Sequence, residues 1–481
     1  MFTKTRRSEQ NMGQILTGVT PDPTNTAKMA DAGHTFSFAD VDAVGLDLDH
    51  TLCRYKVAET FEMIYDSMSR YLVEEHKYGE EMLRPFSEDR DFCVKGLLLD
   101  ALRGNFLKFA EDGTILRASH GTQIMTEEEI TAIYGDEKQW KHFAELKGKF
   151  ENSDKYHLYE NYFDMPGIVL CARMVDNLEK NAESKGKQKT KMCKMWRDAI
   201  DAFNNAYKPE AFAAHTGGYF PAIKDKPYMY MHKCSEDIRR WLKELRAAGK
   251  AVFLATSSCS DYCDHIARKV LGDEWKDYFD VIVTNSKKPG FFSEPPNKRP
   301  FYSVVDFQEG TKVKELERGK GYAQGNWQTL MILLRQLTGK EEPKVVYIGD
   351  SLRSDIFPPK KFANWSTILI CEEMEAEGME EDRTQNGPAT KRARYSENDY
   401  DPASKAILVS DMWGPFLTDR STSGSEVVTV CGHILRSSAD ICVPHLDYLA
   451  GLPLDHKFTT FKDSSSDWAG FHPGKPRSLR K

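Results

Sequence analysis

Four apolar runs stand out along the chain, and each one ends in residues that can do chemistry. Val41-Asp-Ala-Val-Gly-Leu46 has the pattern of a strand buried on both faces of a parallel sheet, and it runs into Asp47 and Asp49. Ala251-Val-Phe-Leu-Ala255 runs into Thr256, Ser257 and Ser258. Phe279-Asp-Val-Ile-Val-Thr284 is followed by Lys287 and Lys288, and Lys344-Val-Val-Tyr-Ile-Gly349 by Asp350 and Asp355. Trp365–Cys371 predicts one further strand.

Helical spacing separates these runs. It predicts helices near Glu59–Lys77, Glu127–Tyr134, Ile168–Lys180, Cys193–Tyr207, Ser235–Gly249, Asp261–Leu271 and Asn326–Leu337. The helix after Ser235 is well punctuated, with a capping serine, acids in its first turn and Gly249 at its end. Asp112-Gly113 predicts a hairpin within Phe109–Ser119. A second hairpin of Tyr302–Val305 and Thr311–Leu316 is expected in an otherwise loop-like stretch, and Glu426–Ile434 is β-rich.

Strands alternating with helices give an α/β class with a doubly wound parallel sheet. Residues 59–229 break that rhythm and are far too long for a loop. They read as a large, mainly helical cap inserted after the first strand, set over the site to exclude water and choose the substrate. The expected layout is a disordered tail over 1–36, a core of 37–58 and 230–372, the cap, and a disordered linker over 373–405. A C-terminal segment over 406–465 packs back on the core, and 466–481 is a tail.

Composition narrows the function classes. A formal charge of −7 gives no basic footprint for nucleic acid, and no apolar run approaches the ~20 residues that span a bilayer. Ten cysteines without a Cys-x-x-Cys pair fit a reduced, cytoplasmic protein better than a disulfide framework. Arg6 and Arg7 in the tail give a mitochondrial alternative, and Lys391-Arg-Ala-Arg394 a nuclear one. Oligomeric state is left open, and a homo-oligomer is compatible with the chain.

In a doubly wound sheet the four strand ends lie along one edge, where such sheets bind ligands. Phosphoryl transfer uses the set that gathers there. Asp47 is placed to attack phosphorus, and Asp49 to protonate the leaving oxygen and then activate water. Thr256, with Ser257 beside it, can bond a phosphate oxygen, and Lys288 offsets the dianion. Asp350 with Asp47 and the backbone carbonyl of Asp49 offers hard oxygen ligands to Mg²⁺, while Asp355 orients Lys288 or completes an outer shell. Each piece has a plainer reading. Asp47-Leu-Asp49 can be a turn with a helix cap, Thr256 a strand-end hydroxyl, Lys288 a surface cation, and Asp350 to Asp355 a capped helix with an acidic first turn. All four in this order, each at a strand end, favour one shared site.

Asp47-x-Asp49-x-Thr51, Thr256, Lys288 and Gly349-Asp350-x-x-x-x-Asp355 resemble the motifs of the haloacid dehalogenase-like hydrolase superfamily, in its phosphatase form. Phe253-Leu-Ala-Thr-Ser-Ser258, Lys288-Pro-Gly-Phe-Phe292, Tyr347-Ile-Gly-Asp350 and Tyr162-Phe-Asp-Met-Pro166 resemble the cytosolic purine 5′-nucleotidase family within it. The resemblance implies a Rossmann-like core, an inserted cap, Mg²⁺, and hydrolysis of nucleoside 5′-monophosphates through an aspartyl phosphate. It also implies that Phe163 stacks on the base and that Arg197 and Asp201 contact substrate. Where the purine enzymes have a His-Tyr pair, this chain has Asn204-Asn205, or Tyr207 if the register shifts. His120 is a further candidate contact, with a loop or core histidine as the alternative. Two other readings stay open: a phosphatase of another small phosphorylated metabolite, and a weakly active binding or regulatory protein that keeps the fold.

Overall fold

The structure, a computed structural model, describes residues 34–180, 188–293, 295–381, 402–421, 424–463 and 469–479. Its frame is a nine-stranded sheet. In chain order the strands are β1 (Ala43–Leu46), β2 (Ala251–Ala255), β3 (Val281–Thr284), β4 (Phe301–Val305), β5 (Gln308–Val313), β6 (Lys320–Gln324), β7 (Val345–Gly349), β8 (Ser366–Ile370) and β9 (Ile441–Val443). Their spatial order is β5-β4-β6-β3-β2-β1-β7-β8-β9. From β6 to β9 every pairing is parallel, and β4 and β5 add an antiparallel hairpin on one edge. Strands β1, β2, β3 and β7 are buried along their whole length, as their unbroken apolar runs require. Chain order and spatial order differ around β1, so β1, β2, β3 and β7 present their carboxyl ends side by side.

The helix Ser235 announces spans Glu236–Ala247, and the serine side chain accepts a hydrogen bond from Ile238 N. Asn326 caps Trp327–Thr338 in the same way. In the insert, the helix Val57–Glu74 buries Phe61, Ile64, Met68 and Leu72 at helical spacing. It packs against the helices Pro166–Lys180 and Gln188–Ala206.

Helices make up most of the insert's regular structure, but not all of it. It also carries a five-stranded antiparallel sheet in the order Gln123–Ile124, Ile115–His120, Asn105–Phe109, Leu98–Asp100, Tyr156–Leu158. The Asp112-Gly113 hairpin is its centre. The outer strands are three residues or shorter, too brief to show a period of two.

The chain ends also depart from the expected layout. Glu373–Ala376 is a helix and Met379–Glu381 a strand, where a disordered linker is expected. That strand pairs antiparallel with Gly474–Pro476, and Phe471 and Leu479 are buried, so the final stretch is not a free tail. Thr35–Phe36 pairs with Phe458–Thr459 at the other end. Only Glu426–Val428 of the β-rich run is strand, because Thr429 caps a helix over Val430–Ser438. The rest of the N-terminal tail and Lys391–Arg394 lie outside the described residues. Among the described residues no helix is long and apolar enough to cross a membrane.

The C-terminal segment is held to both layers. It supplies β9 to the main sheet, and it is ion-paired to the insert. Lys108 Nζ meets Asp419 Oδ2 at 2.8 Å and donates to the carbonyls of Trp413 and Pro415, while Arg117 Nη2 meets Asp419 Oδ1 at 2.7 Å. Asp419 and Lys108 are almost wholly shielded from water, so each charge relies on the other. Asp419→Ala is expected to lower unfolding stability by about 3–5 kcal/mol in denaturant titration, because it strands a buried cation.

Candidate active site

The sheet's hydrogen bonding extends one residue past its strands. Asp47 N donates to Ile348 O at 2.9 Å, and Thr256 N to Val283 O at 2.9 Å. The backbone of both residues is therefore fixed by the frame. Asp47, Asp49, Asp350 and Asp355 are all buried there. Lys288 joins them: its Nζ lies 2.8 Å from Asp47 Oδ1, 2.7 Å from Asp355 Oδ1 and 3.0 Å from the Tyr347 hydroxyl. Burial works against the lysine's charge, but Asp355 and Asp47 outweigh it and hold the ammonium well above its usual range.

Asp355 uses its second oxygen to accept from Ser351 N at 3.2 Å. It can fold back this far because residue 349 is glycine: a Cβ there would stand 2.4 Å from Asp355 Cγ. Asp355 thus orients Lys288. Ser257 supports the same lysine by accepting from its backbone N at 3.1 Å.

Asp49 is gripped at both oxygens. Tyr55 donates to Oδ1 at 2.7 Å, and Ser258 donates to Oδ2 at 2.6 Å with the Thr256 hydroxyl at 3.5 Å. Burial, then the charge of Asp47, pushes its carboxyl up to about 6, and the hydrogen bonds only partly offset this. Asp49 is therefore a carboxyl that can both hold and release a proton near neutral pH.

Asp47, Asp350 and Asp355 each place an oxygen within 4.8 Å of the others. Burial and the Asp355 charge raise Asp350 well above the carboxylate range, and its Oδ2 has no hydrogen-bond partner among the described residues. Like charges this close, with an oxygen left over, suit a hard divalent cation. Since both Asp355 oxygens are already engaged, Asp47 and Asp350 are the ligands best placed to hold it.

Above this floor lies a crevice of about 350 Å³. Its wall is aromatic: Phe163, Tyr207, Phe212, Tyr219, Phe220 and Tyr262. Thr256, Ser257, Lys288, Asp350 and Asp355 line the floor with Asp47 and Asp49. Tyr207 enters the wall, fixed by its hydroxyl to Phe163 O at 2.8 Å, whereas Asn204 and Asn205 do not.

Arg197 and Asp201 stay out of the crevice. They lie four apart on the exposed face of Gln188–Ala206, whose buried face carries Trp196, Ala199 and Ala202. Arg197 Nε donates to Cys193 O, and Asp201 is bonded to Tyr71 at 3.0 Å and His76 at 2.9 Å. His120 sits in a separate cleft, bonded at 2.7 Å to both Asn105 and Glu179.

Several partners of the site were not singled out in the sequence. Ser258 was the most legible, as the last of three hydroxyl-bearing residues after β2. Tyr55, Tyr219 and Tyr262 carry no motif. Glu160, fully buried in the insert, accepts from the Ser351 hydroxyl at 2.9 Å and so braces the Asp350 loop. Lys95, also from the insert, is buried 3.8 Å from Glu373 with its ammonium 4.0 Å above the Tyr162 ring.

A model described as the 5′ nucleotidase family matches residues 32–407. The chain belongs to the 5′-nucleotidase family. It is 44% identical over 452 residues to 5′-nucleotidase domain-containing protein 1 of Homo sapiens, covering 92% of this chain and 97% of that protein. The Bos taurus protein of the same description is 42% identical over the same shares of each chain. 5′-Nucleotidase domain-containing protein 2 of Homo sapiens is 27% identical over 72% of this chain and 63% of its own length. The matched region takes in every strand end of the site in this family member, from Asp47 to Asp355.

The raised carboxyls give a test of the cation site. A carboxyl held above its unfolded value binds more protons folded than unfolded, so its contribution to stability falls as pH rises from about 4 through about 6. A divalent cation relieves this repulsion only once the carboxyls are charged. Mg²⁺ is expected to raise the melting temperature more at about pH 8 than at about pH 5, and Asp350→Asn to shrink that difference.

Proposed function

We propose that this chain is a phosphomonoester hydrolase that cleaves nucleoside 5′-monophosphates with Mg²⁺ through an aspartyl phosphate on Asp47. The observation that carries the reading is the pairing of two carboxylates with opposite environments. Asp47 is ion-paired to Lys288, while Asp49 is buried, lifted to about 6 and fixed by hydroxyl donors. Such a pair divides nucleophile from general acid. The core is read here as a haloacid dehalogenase-like one, with the insert as its cap.

An Asp47 oxygen attacks phosphorus as the ester P–O bond breaks, and Asp49 delivers its proton to the departing oxygen. Asp49, now a carboxylate, takes a proton from the water that attacks the same phosphorus, which frees phosphate and restores Asp47. Lys288 balances charge on the phosphoryl oxygens, and the Thr256 hydroxyl is placed to bond one of them. Asp47 and Asp350, with the backbone oxygen of Asp49, would hold Mg²⁺, which when bound supplies further positive charge to the phosphoryl group.

The aromatic wall supports a planar base as the other end of the substrate, with Phe163 as the stacking face. The exclusion of Arg197 and Asp201 favours a second substrate reading. With those polar groups turned outward, the crevice has less to read a base edge with, and a sugar phosphate or another small phosphomonoester fits the same floor. The reading also takes a reduced cytoplasm as its compartment, on cysteine usage alone.

Phosphate release from a panel of nucleoside monophosphates and sugar phosphates separates these readings. One nucleotide class is expected to be hydrolysed, with release falling to background in EDTA and in Asp47→Asn, which keeps the shape and removes the nucleophile. Phe163→Ala is expected to raise KM for that nucleotide about ten-fold, given stacking worth roughly 1–3 kcal/mol, and to affect a sugar phosphate less. A folded protein that binds Mg²⁺ and releases nothing from any of them overturns the hydrolase reading.

A further inference from the structure

Three tyrosine hydroxyls link the insert to Asp49. Tyr55 Oη lies 2.7 Å from Asp49 Oδ1, Tyr262 Oη lies 2.9 Å from Tyr55 Oη, and Tyr219 Oη lies 2.7 Å from Tyr262 Oη. The three come from distant parts of the chain. Tyr55 follows β1, Tyr262 is on the core helix Ser260–Leu271, and Tyr219 opens the insert helix Tyr219–Asp225. All are buried, and Tyr219 and Tyr262 also line the crevice.

The direction of the chain follows from proton counting. A phenol has one proton to donate. The Tyr55 proton goes to the Asp49 carboxylate, so Tyr262 donates to Tyr55 and Tyr219 donates to Tyr262. Burial, reinforced by the Asp49 charge, pushes all three phenols well above their usual range, so they remain neutral donors. Ser258 holds the opposite carboxylate oxygen at 2.6 Å. Asp49 is thereby fixed in rotation as well as in place.

Packing explains the rings but not the hydroxyls. Tyr262 stands edge-on to Phe212 and Phe220, and Tyr219 edge-on to Phe163 and Phe220. Phenylalanine fills that space equally well and avoids burying a polar oxygen. What the oxygens add is a continuous connection from the layer over the crevice to one catalytic carboxylate.

We propose that the Tyr219–Tyr262–Tyr55 hydroxyl chain is a positioning device through which the insert orients Asp49 toward the leaving oxygen of the substrate. This rests on the reading of Asp49 as general acid. A nucleoside 5′-oxygen is a poor leaving group that needs its proton, whereas a 4-nitrophenolate leaves without one. Misorienting the acid therefore penalises the first kind of ester selectively.

The test compares kcat/KM, which reports the steps up to ester cleavage, for the best nucleoside monophosphate and for 4-nitrophenyl phosphate. Wild type, Tyr55→Phe, Tyr262→Phe and Tyr219→Phe are assayed with Mg²⁺, and thermal melts establish that each is folded. The nucleotide loss in Tyr55→Phe and Tyr262→Phe is expected to exceed the 4-nitrophenyl phosphate loss by about ten-fold or more, with Tyr219→Phe smaller in the same direction. Equal losses on both esters reduce the hydroxyls to a structural role, and no loss on either removes the chain from the mechanism. Either result overturns the proposal while leaving the hydrolase reading intact. A wild type inactive on both esters overturns the two together. If one variant does not fold, the other two carry the comparison.

Discussion

Everything at this site follows from one constraint: four carboxylates are buried at one sheet edge, Asp47, Asp350 and Asp355 with oxygens within 4.8 Å of one another and Asp49 near enough to feel the charge of Asp47. Burial alone penalises each charge, and proximity penalises it again. The protein answers with a single lysine set between two of them, Lys288 between Asp47 and Asp355, and with hydroxyl donors on a third, Asp49. Asp350 is left least satisfied, and that imbalance makes the cluster receptive to a cation. The parallel sheet is what makes the arrangement affordable in geometry, since its backbone hydrogen bonds fix Asp47 and Thr256 before any side chain contributes.

The insert is more than a cover. It places Glu160 under the Asp350 loop, and it places Lys95 where the facing acids, Glu373 first and then Asp350 and Glu160, outweigh the effect of burial on its charge. It also supplies Phe163, Tyr207, Phe212, Tyr219 and Phe220 to the crevice wall. Core and insert therefore share one electrostatic centre. The C-terminal segment ties the two, through β9 on the sheet and the Lys108–Asp419–Arg117 cluster on the insert. A family member that lost this segment would expose a sheet edge and strand a buried lysine together.

Legibility varied with the length of the signal. Strands β1, β2, β3 and β7 read directly from apolar runs, because a strand buried on both faces has no polar positions to confuse the pattern. The Ser235 cap read directly because a cap is local chemistry. β9 was invisible, since three residues carry no period. The insert's sheet was partly invisible for the same reason. Glu426–Ile434 misled because β-branched residues favour strands, while the Thr429 cap and burial of Ile434 and Leu435 make its second half a helix.

The sequence by itself determined the polar floor of the crevice. Asp47, Asp49, Thr256, Lys288, Asp350 and Asp355 each sit just past a strand of fixed direction, and parallel pairing forces such ends together whatever lies between them. It could not determine what surrounds that floor. Whether a residue on Gln188–Ala206 faces the crevice depends on the rotation of a helix about its axis, and that rotation is set by packing against Val57–Glu74 and Pro166–Lys180. Arg197 and Asp201 were turned outward by it, and Tyr207 was brought in. The tyrosine chain was decided in the same way, because contacts between residues 55, 219 and 262 exist only once three separate elements have packed.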